Sequence, residues 1–293
     1  MATLSQWVDG ARPRTLPAAL APVLLGTACA FAIDAGHLGR ALLALLVALA
    51  LQVGVNYAND YSDGIRGTDD RRSGPARLVG GGHARPQQVK IAAFAAFGVG
   101  ALAGLALVIW SGAWWMLAVG AAAIVAAWYY TGGSHPYGYL GLGEVFVFVF
   151  FGLVATLGTT YTQAASTTLA SWSAATGVGA LSCAILMANN IRDIPTDGPA
   201  GKKTLAVRLG ERRARLAYVA LVVAAFLACL VAAVQHPGAL LGLAAIPLAV
   251  NPCRAVLQRV TGLALIPVLG ATGRLTLVYA VVLGLGVVLV RHW

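Results

Sequence analysis

The sequence predicts an all-α integral membrane protein of about nine transmembrane helices, and three observations predict it. Of 293 residues, 59% are hydrophobic and only 10% charged, where a soluble domain carries about 25% charged residues. Apolar runs of the ~20 residues that cross a bilayer recur along the whole chain. The 20 Lys and Arg residues collect on alternate connections between those runs. The alternating segments of about ten residues that mark an outer-membrane barrel are absent, which leaves helices.

The first span is expected at 16–34. The N-terminal stretch through Ile33 has the look of a secretion signal, but Asp9 lies in its flank. Its apolar part is also long enough to span, so it reads as a retained first helix. The second span, 41–58, ends at "NYANDYSDGIRGTDDRR". The third and fourth, 90–110 and 113–130, part at Ser111-Gly112. The fifth, 144–162, follows "TGGSHPYGYLGLG"; the sixth, 172–190, follows "TQAASTTLAS" and runs into "MANNIRDIPTDGPAGKKTLAVRLG". The seventh and ninth are 214–234 and 274–291. The eighth, 238–257, is interrupted by Pro247 and Pro252. Breaks fall at Gly, Pro and polar clusters. Two polar connections are long, 59–89 and 191–213, and the whole chain, 1–293, reads as one transmembrane domain. Cys29, Cys183, Cys229 and Cys253 lie in or beside apolar runs with no CxxC or Cys/His spacing, so they read as small core residues.

With nine spans, the N-terminus and the connections after even-numbered helices share one side. That side carries Arg12, Arg14, Arg66, Arg71, Arg72, Arg77, Arg85, Lys90, Arg192, Lys202, Lys203, Arg208, Arg212, Arg213, Arg215, Arg254, Arg259 and Arg274. These are 18 of the 20 basic residues, leaving Arg40 and Arg291 opposite. The positive-inside rule then places the N-terminus and both long loops in the cytoplasm, in a cell (inner or plasma) membrane. The net charge of +10 is a topology signal and calls for no nucleic acid. Basic loops also suit anionic lipid or an anionic substrate.

Seven of the ten acids fall in the two long loops: Asp60, Asp63, Asp69, Asp70, Asp193, Asp197 and Glu211. Uncompensated charge at a bilayer boundary is costly, so this crowding points to a site rather than to solvated loop charge. Asn59 and Asp63 are four apart, as are Asn56 and Asp60, Asn189 and Asp193, and Asp193 and Asp197. On a helix such pairs share a face. Each cluster therefore presents oxygen ligands at the cytoplasmic end of a helix, followed by basic residues. Mg²⁺ takes one or two carboxylates plus substrate phosphates, so two facing sets suit Mg²⁺ bridged to a diphosphate whose remaining oxygens meet Arg and Lys.

These motifs resemble those of the UbiA superfamily of intramembrane aromatic prenyltransferases, which carries an NDxxDxxxD-like motif after the second helix and a DxxxD motif after the sixth. Here the fourth acid of the first motif falls on Gly67, with Asp69 as the nearest substitute. That pattern, together with "ARPRTLPAALAPVLLG", "RRSGPARLV", "YYTGGSHPYGYLGLGEVFVFVFFG" and "NNIRDIPTDGPAGKKTLAVRLG", is similar to the branch that prenylates 1,4-dihydroxy-2-naphthoate. The resemblance covers residues 7 to about 215. It implies that Mg²⁺ ions, held by Asn59, Asp60, Asp63, Asp69, Asp193 and Asp197, bind a polyprenyl diphosphate. The allylic C–O bond ionises, the ring attacks through its carboxyl-bearing carbon, and CO₂ leaves to give demethylmenaquinol. A metal would stabilise the leaving oxygen, and Tyr57, Tyr61, Tyr130 and Tyr139 would stabilise the cation by cation–π contact, worth ~2 kcal/mol when desolvated. A tyrosine at a membrane boundary is otherwise an interfacial anchor.

Asp63 and Asp193 are the expected catalytic anchors, with Asn59, Asn189 and Asn190 as polar neighbours on the substrate side. Arg12, in "ARPRTLP", is a ligand for a carboxylate or diphosphate, or a plain topology charge. Arg77 and Lys202 follow the two motifs and are expected to close over the diphosphate. Arg192 either joins them or orients the acids. Glu144 suits the first turn of a helix electrostatically, or serves the acceptor pocket or carries a proton. His135 reads as surface. Gln52 and Asn251 read as interhelical hydrogen-bonding groups rather than site groups. A different aromatic acceptor, such as 4-hydroxybenzoate, is the alternative within the superfamily. A cation-coupled transporter is the alternative outside it, but would carry its acids at mid-span. The expected surroundings are membrane lipid, with no obligate protein partner.

Overall fold

In the computed structural model, which describes residues 2–68 and 77–290, every regular element is helical. A short helix α1 (Leu4–Ala11) starts at a Thr3–Gln6 capping box, whose two side chains satisfy the first free N–H groups. It ends at Arg12, which takes the left-handed conformation (φ 55°) that closes many helices. A 3-10 turn, Pro13–Thr15, leads into α2 (Pro17–Ala32), and the chain bends by 50° between them. There follow α3 (Leu38–Ile65), α4 (Pro86–Ser111), α5 (Met116–Tyr129), α6 (Gly143–Ala164), α7 (Leu169–Asp197), α8 (Leu205–Ala233), α9 (Pro237–Leu257) and α10 (Gly262–Leu289).

Helices α2 to α10 stand at the nine expected spans, but not all are equal. Among the described residues seven are long and apolar enough to cross a membrane alone, and the bent α1–α2 pair makes an eighth. Helix α5 has only 14 residues, about 21 Å at 1.5 Å per residue, short of a hydrocarbon core of about 30 Å. Nine full spans is therefore an approximation. Both motif-bearing helices also outrun their apolar stretches, ending at Ile65 and Asp197 rather than near 58 and 190. Asp60, Asp63, Asp193 and Asp197 sit on helix rather than in loops, because their side chains are paired inside the protein and the backbone keeps winding where the hydropathy stops. Of the two prolines expected to interrupt the eighth span, Pro247 lies where a 3-10 stretch, Pro237–Ala245, gives way to α-helix, in a first turn where a missing N–H costs nothing, and Pro252 lies inside that α-helix.

The helices gather in two groups. Helices α3, α4 and α5 meet around Ala58, Ala93 and Phe97. Helices α2, α7, α8, α9 and α10 share a larger core that includes Leu181, Met187, Tyr218 and Tyr279. In lipid, such packing relies on small residues and on interhelical hydrogen bonds. The Tyr279 hydroxyl donates to the Ala225 carbonyl (2.8 Å) and that of Tyr218 pairs with Thr272 (2.7 Å). Where α6 crosses α7, a β-carbon on Gly152 would lie 2.6 Å from the Gly179 α-carbon, so the contact requires glycine. The middle of α6, Phe148–Val154, is a π-helical turn, a feature frequent at functional sites. Between the two groups lies a cavity of about 870 Å³.

Candidate active site

One face of α3 lines this cavity from end to end: Ala44, Ala48, Leu51, Val55, Asn59 and Asp63 recur at helical spacing. The 19 helical steps from Ala44 to Asp63 rise about 28 Å, close to the hydrocarbon thickness of about 30 Å. Ile124 of α5 and Phe150 and Val154 of α6 make the body of the cavity apolar. Polar and charged groups gather at the Asp63 end. The result is a long apolar chamber with an ionic head.

At that head the two motifs meet. Asp63 is buried. Its Oδ1 accepts the Tyr139 hydroxyl at 2.7 Å, and its Oδ2 lies 4.0 Å from Lys202 Nζ. The same ammonium lies 3.9 Å from Asp197 Oδ1. One cation thus sits between a carboxylate of each motif, and over the face of Tyr139 at 5.3 Å. Burial, with the Asp63 carboxylate alongside, pushes the Tyr139 phenol up from its ordinary value, so it holds its proton and donates. The hydroxyl of Thr131 donates to Asn59 Oδ1 (2.9 Å). In the second motif, Arg192 forks onto Asp193 (2.7 and 2.6 Å) and reaches Asn189 Oδ1 (2.8 Å). Arg12, Arg77, Asn189, Asn190, Arg192 and Lys202 all line the cavity, as do Asn59, Asp63 and Tyr130.

Other expected site residues stand elsewhere. Asp60 accepts the backbone N–H groups of Leu78 and Val79 (both 2.9 Å) and does not line the cavity. Its place one residue after Asn59 turns it about 100° round the helix, toward the returning loop. Tyr57 donates to the Trp7 carbonyl (2.8 Å) and packs edge-on against the Trp7 ring, holding α1 down. Tyr61 stacks on Trp128 with Lys90 above it. Neither tyrosine lines the cavity. Glu144 is buried but meets the cavity through Asn190, whose Nδ2 donates to Glu144 Oε1 (3.0 Å). Asp69 lies outside the described residues. His135 is exposed, as read, and so is Asn251, which faces outward rather than toward another helix.

Sequence reasoning passed over Thr68, Thr131, Tyr137 and Phe146. Thr68 and Tyr139 share a hydrogen bond (3.1 Å), and Tyr137 stacks on Phe146 (3.8 Å) in the cavity wall. The recurring Tyr and Thr of "YYTGGSHPYGY" was the available signal.

Does this head fit a divalent metal? Asn59, Asp63 and Asp197 offer hard oxygen donors, and the position of Lys202 shows that both motifs turn a carboxylate toward one cationic point; Asp193 does not line the cavity, and both its oxygens accept from Arg192. Among the described residues no cluster of three or more His, Cys, Asp or Glu could hold a metal by itself. That pattern suits Mg²⁺, which takes few protein carboxylates and completes its shell with substrate phosphates and water. The residues fit.

Comparison with known proteins agrees with the geometry. The model of the UbiA prenyltransferase family matches residues 19–262. A 1,4-dihydroxy-2-naphthoate octaprenyltransferase of Mycobacterium tuberculosis is 55% identical over 280 residues, covering 96% of each chain. An enzyme of the same name from Escherichia coli is 38% identical, covering 97% of this chain and 95% of its own. A UbiA homolog from Archaeoglobus fulgidus, solved bound to GPP and Mg2+, superposes with a TM-score of 0.69 at 15% identity, over 97% of this chain and 100% of that one.

Proposed function

Since this chain belongs to the UbiA prenyltransferase family, we propose that it transfers a polyprenyl group from an allylic polyprenyl diphosphate to 1,4-dihydroxy-2-naphthoate. CO₂ and diphosphate are lost and demethylmenaquinol is formed, a step of menaquinone synthesis. The observation that carries this reading is the ionic head on an apolar chamber about as long as the bilayer is thick. The naphthoate acceptor is supported by the names of relatives 55% and 38% identical over nearly the whole chain.

The residues divide the work. Asn59, Asp63, Asp193 and Asp197 would hold Mg²⁺, and Asp69, outside the described residues, is the further ligand expected from the motif. Bound there, the metal supplies the charge that offsets the diphosphate as it leaves. Lys202, Arg77 and Arg12 offer the remaining oxygens charge-assisted hydrogen bonds. Tyr139 and Thr131 hold Asp63 and Asn59 in place, and Arg192 holds Asp193 and Asn189. Glu144 positions Asn190. As the allylic C–O bond breaks, its electron pair leaves with the diphosphate. The apolar walls keep water from the allylic cation, and the faces of Tyr130 and Tyr137 stabilise it. The ring carbon bearing the carboxylate forms the new C–C bond, and loss of CO₂ returns its bonding pair to the ring. The cytoplasmic placement of the head, in the cell membrane, is supported by the 18-to-2 charge asymmetry.

The test uses purified protein, Mg²⁺, an allylic diphosphate and a carboxyl-labelled acceptor. The expected result is one labelled CO₂ per prenylated product, abolished by EDTA and restored by Mg²⁺. A product that keeps the label would assign another acceptor chemistry, and full activity in EDTA would remove the metal.

A further inference from the structure

By sequence Arg66 is one more basic residue of the expected cytoplasmic side, but its guanidinium turns back onto the protein. It is the first residue after α3 ends at Ile65. One terminal nitrogen donates to the Thr131 carbonyl and the other to the Gly133 carbonyl. The guanidinium also lies 5.3 Å from the centre of the Tyr139 ring. All three partners belong to the connection between α5 and α6, which is irregular except for a short 3-10 turn, Tyr137–Leu140. Backbone carbonyls outside a helix need partners from elsewhere, and the planar fork of an arginine suits two of them at once.

The same connection returns two hydroxyls to α3. Thr131 donates to Asn59 Oδ1 (2.9 Å) and Tyr139 donates to Asp63 Oδ1 (2.7 Å). Asn59, Asp63 and Arg66 follow the i, i+4, i+7 spacing of one helix face. Two of them receive the connection's hydroxyls, and the third grips its backbone. The circuit is closed: α3 fixes the connection through Arg66, and the connection fixes the side chains of Asn59 and Asp63. With Asp63 Oδ1 held by Tyr139, Oδ2 is the oxygen turned to Lys202 (4.0 Å). A further tie reaches the segment after the second motif, because the Tyr139 carbonyl accepts the N–H of Lys203 (3.0 Å) and Lys202 Nζ lies 5.3 Å from the same ring.

Resting on the reading of Asn59 and Asp63 as metal ligands, we propose that Arg66 is a positioning residue of the ionic head. It acts through Thr131 and Tyr139 to hold those two ligands in the orientation that takes Mg²⁺. Groups that bond a metal's ligands fix ligand orientation, and losing one weakens metal binding about tenfold to a hundredfold. The sign of the effect separates this role from plain charge. A guanidinium acting only by its charge repels a nearby divalent cation, so removing it would tighten metal binding. A residue that holds the ligands in place predicts the opposite.

The experiment uses the full-length protein in detergent with Mn²⁺, whose free ion is counted by electron paramagnetic resonance, and an unreactive thiolodiphosphate analogue of the allylic substrate. Arg66→Ala should bind Mn²⁺ about tenfold to a hundredfold more weakly than wild type. Arg66→Lys, which keeps the charge and loses the fork, should stay at least about threefold weaker than wild type. In the Thr131→Val/Tyr139→Phe background, which lacks both hydroxyls, Arg66→Ala should change Mn²⁺ binding by less than about twofold, since its route to the ligands is already cut. Arg66→Gln, which also lacks the fork, takes the place of the alanine variant if that one fails to fold. Unchanged or tighter Mn²⁺ binding by Arg66→Ala overturns the proposal, and so does full recovery in Arg66→Lys. A loss in the hydroxyl-free background as large as in the wild type overturns it too, and makes Arg66 a direct ligand of the diphosphate. A wild type that takes up no Mn²⁺ with the analogue overturns the metal reading itself and takes this inference with it.

Discussion

Lys202 shows how much a single side chain can report. Its ammonium stands within 4.0 Å of Asp63 and 3.9 Å of Asp197, two residues far apart in the chain. Replacing it by methionine should leave two buried carboxylates facing each other and remove one donor to the diphosphate. The expected outcome for Lys202→Met is a KM for the allylic diphosphate raised about tenfold to a hundredfold, the loss of a charge-assisted bond, with the acceptor KM little changed; steady-state kinetics in both substrates checks it. Asp63→Asn and Asp193→Asn should act more severely, lowering kcat/KM on the order of a hundredfold or more. The melting temperature of Asp63→Asn in detergent should stay near that of wild type, since the amide oxygen still accepts the Tyr139 hydroxyl; Asp193→Asn sets an amide N–H against one arm of the Arg192 fork and should lower it as well. A mild effect at either position would take it out of the metal site. Asp60→Asn is the informative contrast. Its carboxylate holds the Leu78 and Val79 N–H groups, so the amide should cost stability before it costs chemistry.

At the scale of elements, glycines and one buried arginine hold the frame. Alanine at Gly152 puts a methyl 2.6 Å from the Gly179 α-carbon and 3.0 Å from the Ala175 carbonyl oxygen, both backbone. The helices must part, which should cost about 1–3 kcal/mol, the usual range for overpacking, and disturb the π-helical wall of the chamber. A methyl added at Gly98 on α4 would meet only open space, so Gly98→Ala should be neutral. Thermal unfolding of the pair in detergent separates the two. Arg215 shows that a basic residue on the expected cytoplasmic side is not always only a topology signal. It is buried, pairs with Glu211 (2.7 Å), and donates to the carbonyls of Val256 (2.6 Å) and Val260 (2.9 Å). It thereby bonds one carbonyl in the last turn of α9, where the helix itself offers no partner, and one just beyond its end. Arg40, one of two basic residues expected on the other face, does the same there, bonding the carbonyls of Thr162, Gln163 and Trp110.

For the molecule as a whole, the contact of Lys202 with Asp63 requires the ends of α3 and α7 to lie on one side, as alternate connections should. Single cysteines at Gln87 and Gly198, both exposed, should react with a membrane-impermeant thiol reagent from the same side, and one at Ser166 from the other. The native cysteines give little background, since Cys29, Cys183 and Cys229 are buried and Cys253 is half-buried. Labelling of positions 87 and 198 from opposite faces would contradict both the helix order and the shared head.

Composition and charge placement by themselves determined the class and, approximately, the number of apolar helices, and they carry the expectation that the acids gather on one side. These follow from terms that act residue by residue: the cost of charge in hydrocarbon and the length needed to cross it. The i, i+4 spacing of the acids was legible for the same reason, because helical periodicity is local. What only the tertiary structure decided is which members of each cluster turn inward. Asp60 and Asp63 are both acids of one motif, yet one ties a loop and the other meets Lys202 from 139 residues away. Tyr57, Tyr61, Tyr130 and Tyr139 looked equal, but only Tyr130 lines the chamber: Tyr57 and Tyr61 pack on Trp7 and Trp128, and Tyr139 reaches the head through its bond to Asp63. That Gln52 turns its nitrogen to Thr15 and leaves its oxygen without a partner among the described residues could not be seen at all from the chain, because it depends on where Thr15 sends a single proton. Contacts between distant segments set those choices, and a one-dimensional pattern carries the period of a helix but not its rotation.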